Sequence, residues 1–141
     1  MKYFTLEPEV AGGFGEKTIM DPTKRPPAVS KFHYEFEGWM GDELLETVAC
    51  FIATSAVVEK LQTLTPSGVE FDQVEISKSA AFKELYPDRI LPDFMWLKIT
   101  GVAGQHDFGL SRIHRLVVSE RVLFTLRSRN LQQCRVAPYK A

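Results

Sequence analysis

Residues 31–37 alternate strictly between polar and aromatic side chains, and this pattern constrains the fold more than any other feature of the chain. Successive side chains of a β-strand point to opposite faces, so a period of two indicates a half-buried strand. The buried face would hold Phe32, Tyr34 and Phe36, and the outer face Lys31, His33, Glu35 and Glu37. The sequence therefore predicts a sheet with an aromatic inner face.

A second folding unit is predicted in the last third of the chain. An apolar strand at 94–100 precedes a glycine-rich loop, and an apolar run at 116–118 leads into a helix that Ser119 caps. A short apolar end follows at Cys134 and Val136. The helix is indicated by the spacing of Val122, Leu123 and Leu126.

Shorter patterns predict the remaining elements. They are a strand at 3–6, a loop at 11–27, a helix at 43–47 capped by Asp42, a buried strand at 49–53, a helix capped by Thr54 or Ser55, an extended segment at 69–76 with a bulge or bend near Asp72-Gln73 that brings its apolar side chains to one face, and a short helix that begins at Ser79. Strands and short helices mix without a regular βαβ order. The prediction is therefore one α+β domain over residues 1–141, with a mainly antiparallel or mixed sheet.

Composition favours an ordinary soluble protein, with 45% hydrophobic and 25% charged residues. No apolar run approaches the ~20 residues of a membrane span, and the N-terminus lacks the apolar region of a secretory signal, so a cytoplasmic protein is expected. Cys50 lies in an apolar run and Cys134 alternates with an apolar residue. Both are expected to be small core residues without a disulfide.

Charge is distributed unevenly along the chain, although the net charge is only -1. Residues 1–98 carry an excess of six negative charges, and residues 99–141 carry an excess of five positive charges. Such a division can steer a charged partner. The basic part has no nucleic-acid-binding motif and the sequence pI is 6.3, so a nucleic-acid partner is not expected.

Two glycine-containing motifs suggest phosphate chemistry, but each has a simpler structural interpretation. Residues 12–18 resemble a phosphate-binding loop, yet Glu16 stands where that motif requires glycine, and its carboxylate would repel phosphate. Asp107-Phe108-Gly109 spells the magnesium motif of protein kinases. The chain is far too short for the rest of a kinase, so a turn is expected there.

Clusters of ionisable residues give no stronger indication of catalysis. Asp42, Glu43 and Glu46 place carboxylates close together, but no histidine follows at a metal-binding spacing, and acidic residues are normal in the first turn of a helix. The three histidines are scattered at 33, 106 and 114. No catalytic residue, metal or cofactor is therefore expected, although a site assembled only in three dimensions stays open.

Four segments resemble a proteobacterial family of polymorphic-toxin immunity proteins, formerly described as a domain of unknown function and typical of myxobacteria. They are Glu9–Gly15, Lys31–Asp42, Phe94–Lys98 and Leu116–Arg121. The resemblance extends over most of the chain and consists of turn and core patterns, so it carries over no binding residues. It implies a non-catalytic protein that neutralises a cognate bacterial toxin by occluding it.

Under this interpretation we expect the toxin to contact Glu35, Glu37, Trp39 and Asp42, which combine carboxylates with an aromatic side chain. Acidic surfaces suit a basic partner such as a nuclease. Trp39 is the best candidate for exposure, because Gly38 and Gly41 flank the Trp39-Met40 dipeptide in a predicted turn.

Two alternatives remain open from the sequence. The first is a small enzyme, in which at least one histidine meets a carboxylate or hydroxyl within a concave pocket. The second is a homo-oligomeric scaffold protein without a toxin partner. A membrane partner is not expected.

Overall fold

The aromatic face predicted for residues 31–37 is buried in a computed structural model, which describes residues 2–140. Phe32, Tyr34 and Phe36 are at most 1% exposed. His33, which the alternation places on the outer face, is also buried, because the segment that precedes this strand covers that face. The alternation therefore identified the core correctly, but the expected exposure of His33 is wrong.

As predicted, the described residues form one small α+β domain; it has thirteen strands and three short helices. The helices are α1 (Ser55–Gln62), α2 (Ala80–Leu85) and α3 (Glu120–Arg127). The strands are β1 (Tyr3–Glu7), β2 (Gly12–Phe14), β3 (Ile19–Asp21), β4 (Ala28–Lys31), β5 (His33–Phe36), β6 (Leu44–Thr47), β7 (Cys50–Thr54), β8 (Val69–Asp72), β9 (Glu75–Lys78), β10 (Phe94–Ile99), β11 (Phe108–Leu110), β12 (Leu116–Ser119) and β13 (Arg135–Pro138).

The strands are organised in three sheets and one hairpin. The spatial orders are β11-β12-β1-β13, β6-β7-β10-β8 and β2-β5-β9, and the hairpin is β3-β4. All strand pairs are antiparallel except β5 and β9, which run parallel. The sheets are therefore mainly antiparallel with one parallel pair.

The β6-β7-β10-β8 sheet is the central layer and is buried on both faces. Phe51 and Leu97 belong to a core shared with α1, α3 and the β11-β12-β1-β13 sheet. Ile52 and Trp96 belong to a second, aromatic core shared with β5 and α2. Because neighbouring side chains in one strand serve opposite cores, β7 and β10 have apolar residues without a clear period of two.

The same two-sided burial explains why the predicted helix at 43–47 is wrong. Leu44 contributes to the first core and Leu45 to the second, so this segment is strand β6. A two-residue turn, Val48-Ala49, connects it to β7, and both turn residues have positive φ angles of 41° and 59°. Two central residues with positive φ fit the right-handed twist of a tight hairpin, and the strand predicted to start at Ala49 starts at Cys50 instead.

The predicted loop at 11–27 is also wrong, since it contains β2 and β3. Gly12 pairs with Phe36 of β5, and a Cβ atom at Gly12 would meet the backbone oxygen of Glu35. Glycine here permits a close approach of two strands rather than irregular structure. The bend predicted near Asp72-Gln73 separates β8 and β9, which belong to different sheets and not to one face.

The capped helices were predicted more accurately. The side chains of Thr54 and Ser79 accept hydrogen bonds from the amides of Val57 and Phe82, respectively, at the N-termini of α1 and α2. Ser119 stands at the N-cap position of α3, but its hydroxyl donates to Asp107 instead. No helix among residues 2–140 is long and apolar enough to cross a membrane.

Candidate protein-binding site

An open cleft of about 620 Å³ contains two of the four predicted contact residues, Glu37 and Trp39. We call it the Trp39 cleft. Its lining consists of two chain segments and one residue that follows α2, namely Glu9–Gly13, Glu37–Met40 and Tyr86. Both segments belong to stretches that carry the sequence resemblance, so those stretches meet in space at this surface.

Exposed apolar side chains surround the Trp39 cleft. Met40 is 70% exposed, Val10 is 66% exposed and Tyr86 is 43% exposed. Exposed apolar residues gathered at one concave surface, with carboxylates beside them, are typical of protein-interaction sites. Two more exposed apolar residues, Leu85 and Ile90, lie close by in sequence, in and after α2.

The loop from Gly38 to Asp42, which carries Trp39 and Met40, is fixed by hydrogen bonds from distant parts of the chain. The carboxylate of Glu9 accepts from the backbone N–H groups of Met40 (2.7 Å) and Asp42 (3.2 Å). The side-chain amide of Asn130 donates to the Gly41 carbonyl at 2.9 Å. A loop held in this way loses little conformational freedom on binding, which favours affinity.

Gly41 has a φ of +104°, a conformation that glycine adopts without strain. It reverses the chain between the exposed Met40 and the buried Asp42. The glycine of this turn is therefore required by its backbone geometry.

Trp39 is half-buried, so its predicted exposure is only partial. Its indole N–H donates to the Asp42 carbonyl at 2.8 Å, and its ring packs edge-to-face with Phe36 and Phe94. The guanidinium of Arg89 lies over the ring, with its carbon 4.7 Å from the ring centroid. The indole is thus anchored to the aromatic core and covered by a cation.

Glu9 is 9% exposed, and burial raises its pKa above the ordinary value. The hydrogen bonds that Glu9 accepts from two backbone N–H groups oppose that shift, as does the positive charge of Arg89. Glu37 is exposed at the rim. The cleft therefore combines one buried and one exposed carboxylate with an aromatic ring.

The other two predicted contact residues lie elsewhere. Asp42 is fully buried. Its carboxylate accepts a hydrogen bond from the backbone N–H of Gln133 at 2.8 Å, so the residue supports the loop from the interior of the protein. Its burial corrects the expectation that Asp42 presents a carboxylate to a partner. Glu35 is half-buried on β5, opposite Gly13 and Ser77, and does not line the Trp39 cleft.

The remaining aromatic candidates are core residues. Phe94, Trp96 and Phe108 are at most 7% exposed. Free thiols are present at Cys50 and Cys134, as expected, and burial raises the pKa of both to about 12. Such thiols stay protonated and behave as small apolar side chains.

His33 satisfies one condition of the enzyme alternative, because its Nε2 lies 2.7 Å from the Ser77 hydroxyl. The backbone N–H of Lys17 donates to Nδ1, so the neutral ring carries its proton on Nε2 and donates it to Ser77. An imidazole in this tautomer does not accept the hydroxyl proton. Neither residue lines any of five clefts found on the surface of residues 2–140.

The other two histidines have local structural contacts. His106 accepts a hydrogen bond from the backbone N–H of Val102 within its own loop, and His114 adopts a φ of 63° in the turn before β12.

The resemblance of residues 12–18 to a phosphate-binding loop also has a structural explanation. Lys17 forms an ion pair with Glu75, and the Thr18 hydroxyl donates to the His33 carbonyl.

The predicted carboxylate cluster and the kinase-like tripeptide are both parts of structural networks. Glu43 accepts hydrogen bonds from Thr54, from Arg129 and from the backbone N–H of Asn130. Burial alone would raise the pKa of Glu43, but these partners hold it below the ordinary value.

Asp107 of the kinase-like tripeptide forms a two-point ion pair with Arg121. No group of three or more His, Cys, Asp or Glu side chains in the described part of the chain is arranged to hold a metal.

The uneven charge along the sequence is partly cancelled by folding. Arg115 forms an ion pair with Glu7 and Arg129 with Glu43, so two basic residues of 99–141 pair with acidic residues of 1–98. A second cleft of about 640 Å³ keeps a basic lining, since it includes Arg112, Arg115 and Lys140 beside the exposed Ile113. Acidic and basic surfaces therefore persist at two separate clefts.

Comparisons of the chain with protein-family profiles, curated proteins and solved structures found no match. The assignment of the Trp39 cleft as a candidate binding site therefore depends on its geometry alone. The sequence alone indicated Glu37 and Trp39 and noted Met40, but it missed Glu9, Tyr86 and Arg89. Their contribution depends on contacts between segments far apart in the chain, and the only sequence signal was the presence of Glu9 in a segment that carries the resemblance.

Proposed function

We propose that this protein is a non-catalytic binding protein that neutralises a cognate bacterial toxin by occluding it, and that the Trp39 cleft contacts the toxin. The observation that carries this proposal is the fixed loop at 38–42, which presents Met40 and part of Trp39 beside the carboxylates of Glu9 and Glu37. In this proposal the protein acts in the cytoplasm of the cell that makes it.

The composition of the cleft supports a protein partner. Aromatic and methionine side chains are enriched in the centres of protein interfaces, and a polar rim surrounds them. Two carboxylates favour a basic partner through electrostatic steering. A basic nuclease is therefore the kind of toxin that fits best.

The ionisable groups that suggested an enzyme have structural partners. His33 donates to Ser77, Glu43 is paired with Arg129, and Asp107 is paired with Arg121. These contacts favour the binding function over the alternative of a His/carboxylate catalytic site. The homo-oligomeric alternative is tested directly by size-exclusion chromatography with light scattering.

The decisive experiment is co-expression with the product of the neighbouring open reading frame, with cell growth and pull-down as readouts. The wild-type protein is expected to bind that product and to rescue growth. Failure of both with a toxic neighbouring product would overturn the proposed function.

Substitutions of exposed residues then test the location of the contact. Met40→Asp and Val10→Asp place a charge at the Trp39 cleft, on side chains that are 70% and 66% exposed, so the fold should be retained. Ile113→Asp is the matched control, because Ile113 is 74% exposed and lines the other cleft. We expect loss of rescue with the first two variants only. Equal rescue by all three variants would place the contact elsewhere.

A further inference from the structure

The contact between Arg89 and Trp39 indicates what the Trp39 cleft accepts. The indole makes edge-to-face contacts with Phe36 and Phe94, and the guanidinium carbon of Arg89 lies over the ring, 4.7 Å from its centroid. A cation over an indole is attracted by the ring quadrupole, for which tryptophan is the strongest natural partner. In the free protein this aromatic surface is thus already occupied by a cation.

The side chain of Arg89 lacks the close ion pair that other arginines near carboxylates form, although the more distant carboxylate of Glu9 attracts it. Arg115, Arg121 and Arg129 each form an ion pair, whereas Arg89 has no carboxylate within 4.0 Å among residues 2–140. Its backbone is fixed, since its N–H donates to the Tyr86 carbonyl and its own carbonyl accepts from Lys78. The guanidinium can therefore leave the ring while the main chain stays in place.

The surroundings of the ring remain suited to a cation when Arg89 leaves. Glu9 forms part of the cleft wall and Glu37 stands at the rim, and no lysine or arginine is among the lining residues. Arg89 therefore reaches the Trp39 ring from beside the cleft. Met40 and Val10 provide exposed apolar surface beside them. Arginine has an apolar stem and a charged planar end, and it matches this combination of surfaces better than a compact ammonium group.

We infer that the Trp39 cleft is a receptor for an arginine side chain of the bound partner, and that Arg89 covers the same indole ring in the free protein. This inference rests on the proposed binding function and specifies the chemistry of its contact. The partner's guanidinium replaces that of Arg89 over Trp39, and Glu37 attracts it at the rim.

The competition between the two guanidinium groups has a calculable size. Trp39 and Arg89 are both half-buried, and a cation–π contact that water still reaches stabilises by about 0.5–1 kcal/mol. Arg89 would then cover the ring most of the time, and its removal should strengthen the binding of an external arginine about three- to sixfold. The same removal should leave the fold intact, because the side chain of Arg89 has no hydrogen bond to any of residues 2–140 that would be lost.

The test uses the full chain and a short blocked peptide, acetyl-Gly-Arg-Gly-amide, titrated while the indole N–H resonance of Trp39 is followed by NMR. We expect Arg89→Ala to bind the peptide about three- to sixfold more tightly than the wild type, and Glu37→Gln in that background to weaken it. The citrulline peptide, which has the same shape without the charge, should give no saturable shift. Arg112→Ala, at the other cleft, is the matched control and should behave as the wild type.

Two results would overturn the inference: equal binding of the arginine and citrulline peptides, or no saturable shift with Arg89→Ala. A chemical shift of the indole N–H that is unchanged by the Arg89→Ala substitution in the absence of peptide would also contradict the contact. Because no toxin is present, these failures are separate from failure of the growth-rescue experiment. Rescue without peptide binding would retain the proposed function and remove only the arginine receptor.

Discussion

Asp107 and Asp42 are both buried, at 8% and 0% exposure, but their surroundings differ. Asp107 accepts hydrogen bonds from Ser119, from Ser67 and from two nitrogen atoms of Arg121. Asp42 accepts from the Gln133 amide through one oxygen, while its other oxygen has no hydrogen-bond partner among the described residues. Hydrogen bonds and an ion pair replace the water that Asp107 loses on burial, whereas Asp42 has such partners at one oxygen only.

The two environments shift the pKa in opposite directions. The Arg121 guanidinium holds the pKa of Asp107 well below its usual range, against the effect of burial. Burial raises the pKa of Asp42, and the hydrogen bond from the backbone N–H of Gln133 reduces this rise without reversing it. Burial also raises the pKa of Glu9, which accepts the Asp42 N–H.

This contrast separates the part of the molecule that stabilises the fold from the part that holds the candidate site. The Asp107 network joins the residue that directly precedes β11 to α3 and to the loop at Ser67. Glu9 and Asp42 are linked by the hydrogen bond from the Asp42 N–H to the Glu9 carboxylate. They support the loop at 38–42, and burial raises the pKa of both carboxyl groups. Local destabilisation beneath a surface loop is common where a structure serves binding rather than stability.

The largest effect is expected at the compensated aspartate. Asp107→Asn removes the charge that pairs with Arg121 and should lower the free energy of unfolding by about 2 kcal/mol at pH 7, less than for a fully buried pair because Arg121 is half-exposed. Urea denaturation measures this change. Ser67→Ala is the control within the same network and should cost about 1 kcal/mol, since it removes a neutral partner. A loss below about 1 kcal/mol for Asp107→Asn would show that the network contributes little.

The pH dependence of stability should have opposite signs at the two sites. The lowered pKa of Asp107 stabilises the folded state above the unfolded-state pKa of about 4, and this contribution is lost as the pH falls further. The raised pKa of Asp42 destabilises the folded state at neutral pH, and this cost disappears as the pH falls through the folded-state value.

Measurements of the unfolding free energy between pH 3 and pH 7 should therefore separate the two substitutions. The difference between wild type and Asp107→Asn should shrink toward low pH because the wild type loses stability. The difference between wild type and Asp42→Asn should also shrink, but because the wild type is relieved of a cost. Differences that stay constant over this range would contradict both pKa shifts.

These predictions concern contacts that the sequence only partly revealed. The N-caps of α1 and α2 and the aromatic alternation at 32, 34 and 36 are local signals, and they were identified correctly. Strand β6 was missed because Leu44 and Leu45 serve cores on opposite faces of the central sheet, which leaves no visible period. Asp42 precedes this segment and looked like a helix cap for the same reason.

The candidate site was less predictable than the fold. Glu37 and Trp39 were found from their neighbourhood in the chain, but Arg89 stacks on Trp39 from fifty positions away. Glu9 fixes the loop through backbone amides, for which the sequence contains no pattern. The kinase-like tripeptide was expected to be a turn, whereas Phe108 begins β11 and Asp107 serves the network with Arg121.

A smaller effect on stability is expected at Glu9, which holds the loop at 38–42. Glu9→Gln keeps one acceptor oxygen for the two backbone N–H groups, so one hydrogen bond worth about 1 kcal/mol is lost. Relief of the buried charge offsets part of this loss. Global stability should therefore change by less than about 1 kcal/mol, while the amide hydrogens of Met40 and Asp42 exchange up to about tenfold faster.

Hydrogen exchange measured by NMR distinguishes this local effect from general destabilisation. The amides of β7 provide the internal control, because that strand is fully buried in the central sheet. Faster exchange at β7 as well would indicate that Glu9 stabilises the whole fold and that its role is not confined to the loop.

The smallest effect, and the one that tests the comparison most sharply, is expected for Asp42→Asn. The substitution removes a buried charge while the remaining oxygen can still accept from the Gln133 amide, so the protein should be stabilised by about 0.5 kcal/mol at pH 7. Most substitutions of buried, hydrogen-bonded residues destabilise. A gain here and a large loss at Asp107 would therefore show that two buried aspartates of one small domain have opposite effects on its stability. A loss above about 1 kcal/mol would instead mean that the unpaired oxygen of Asp42 has a charge-dependent partner in solution.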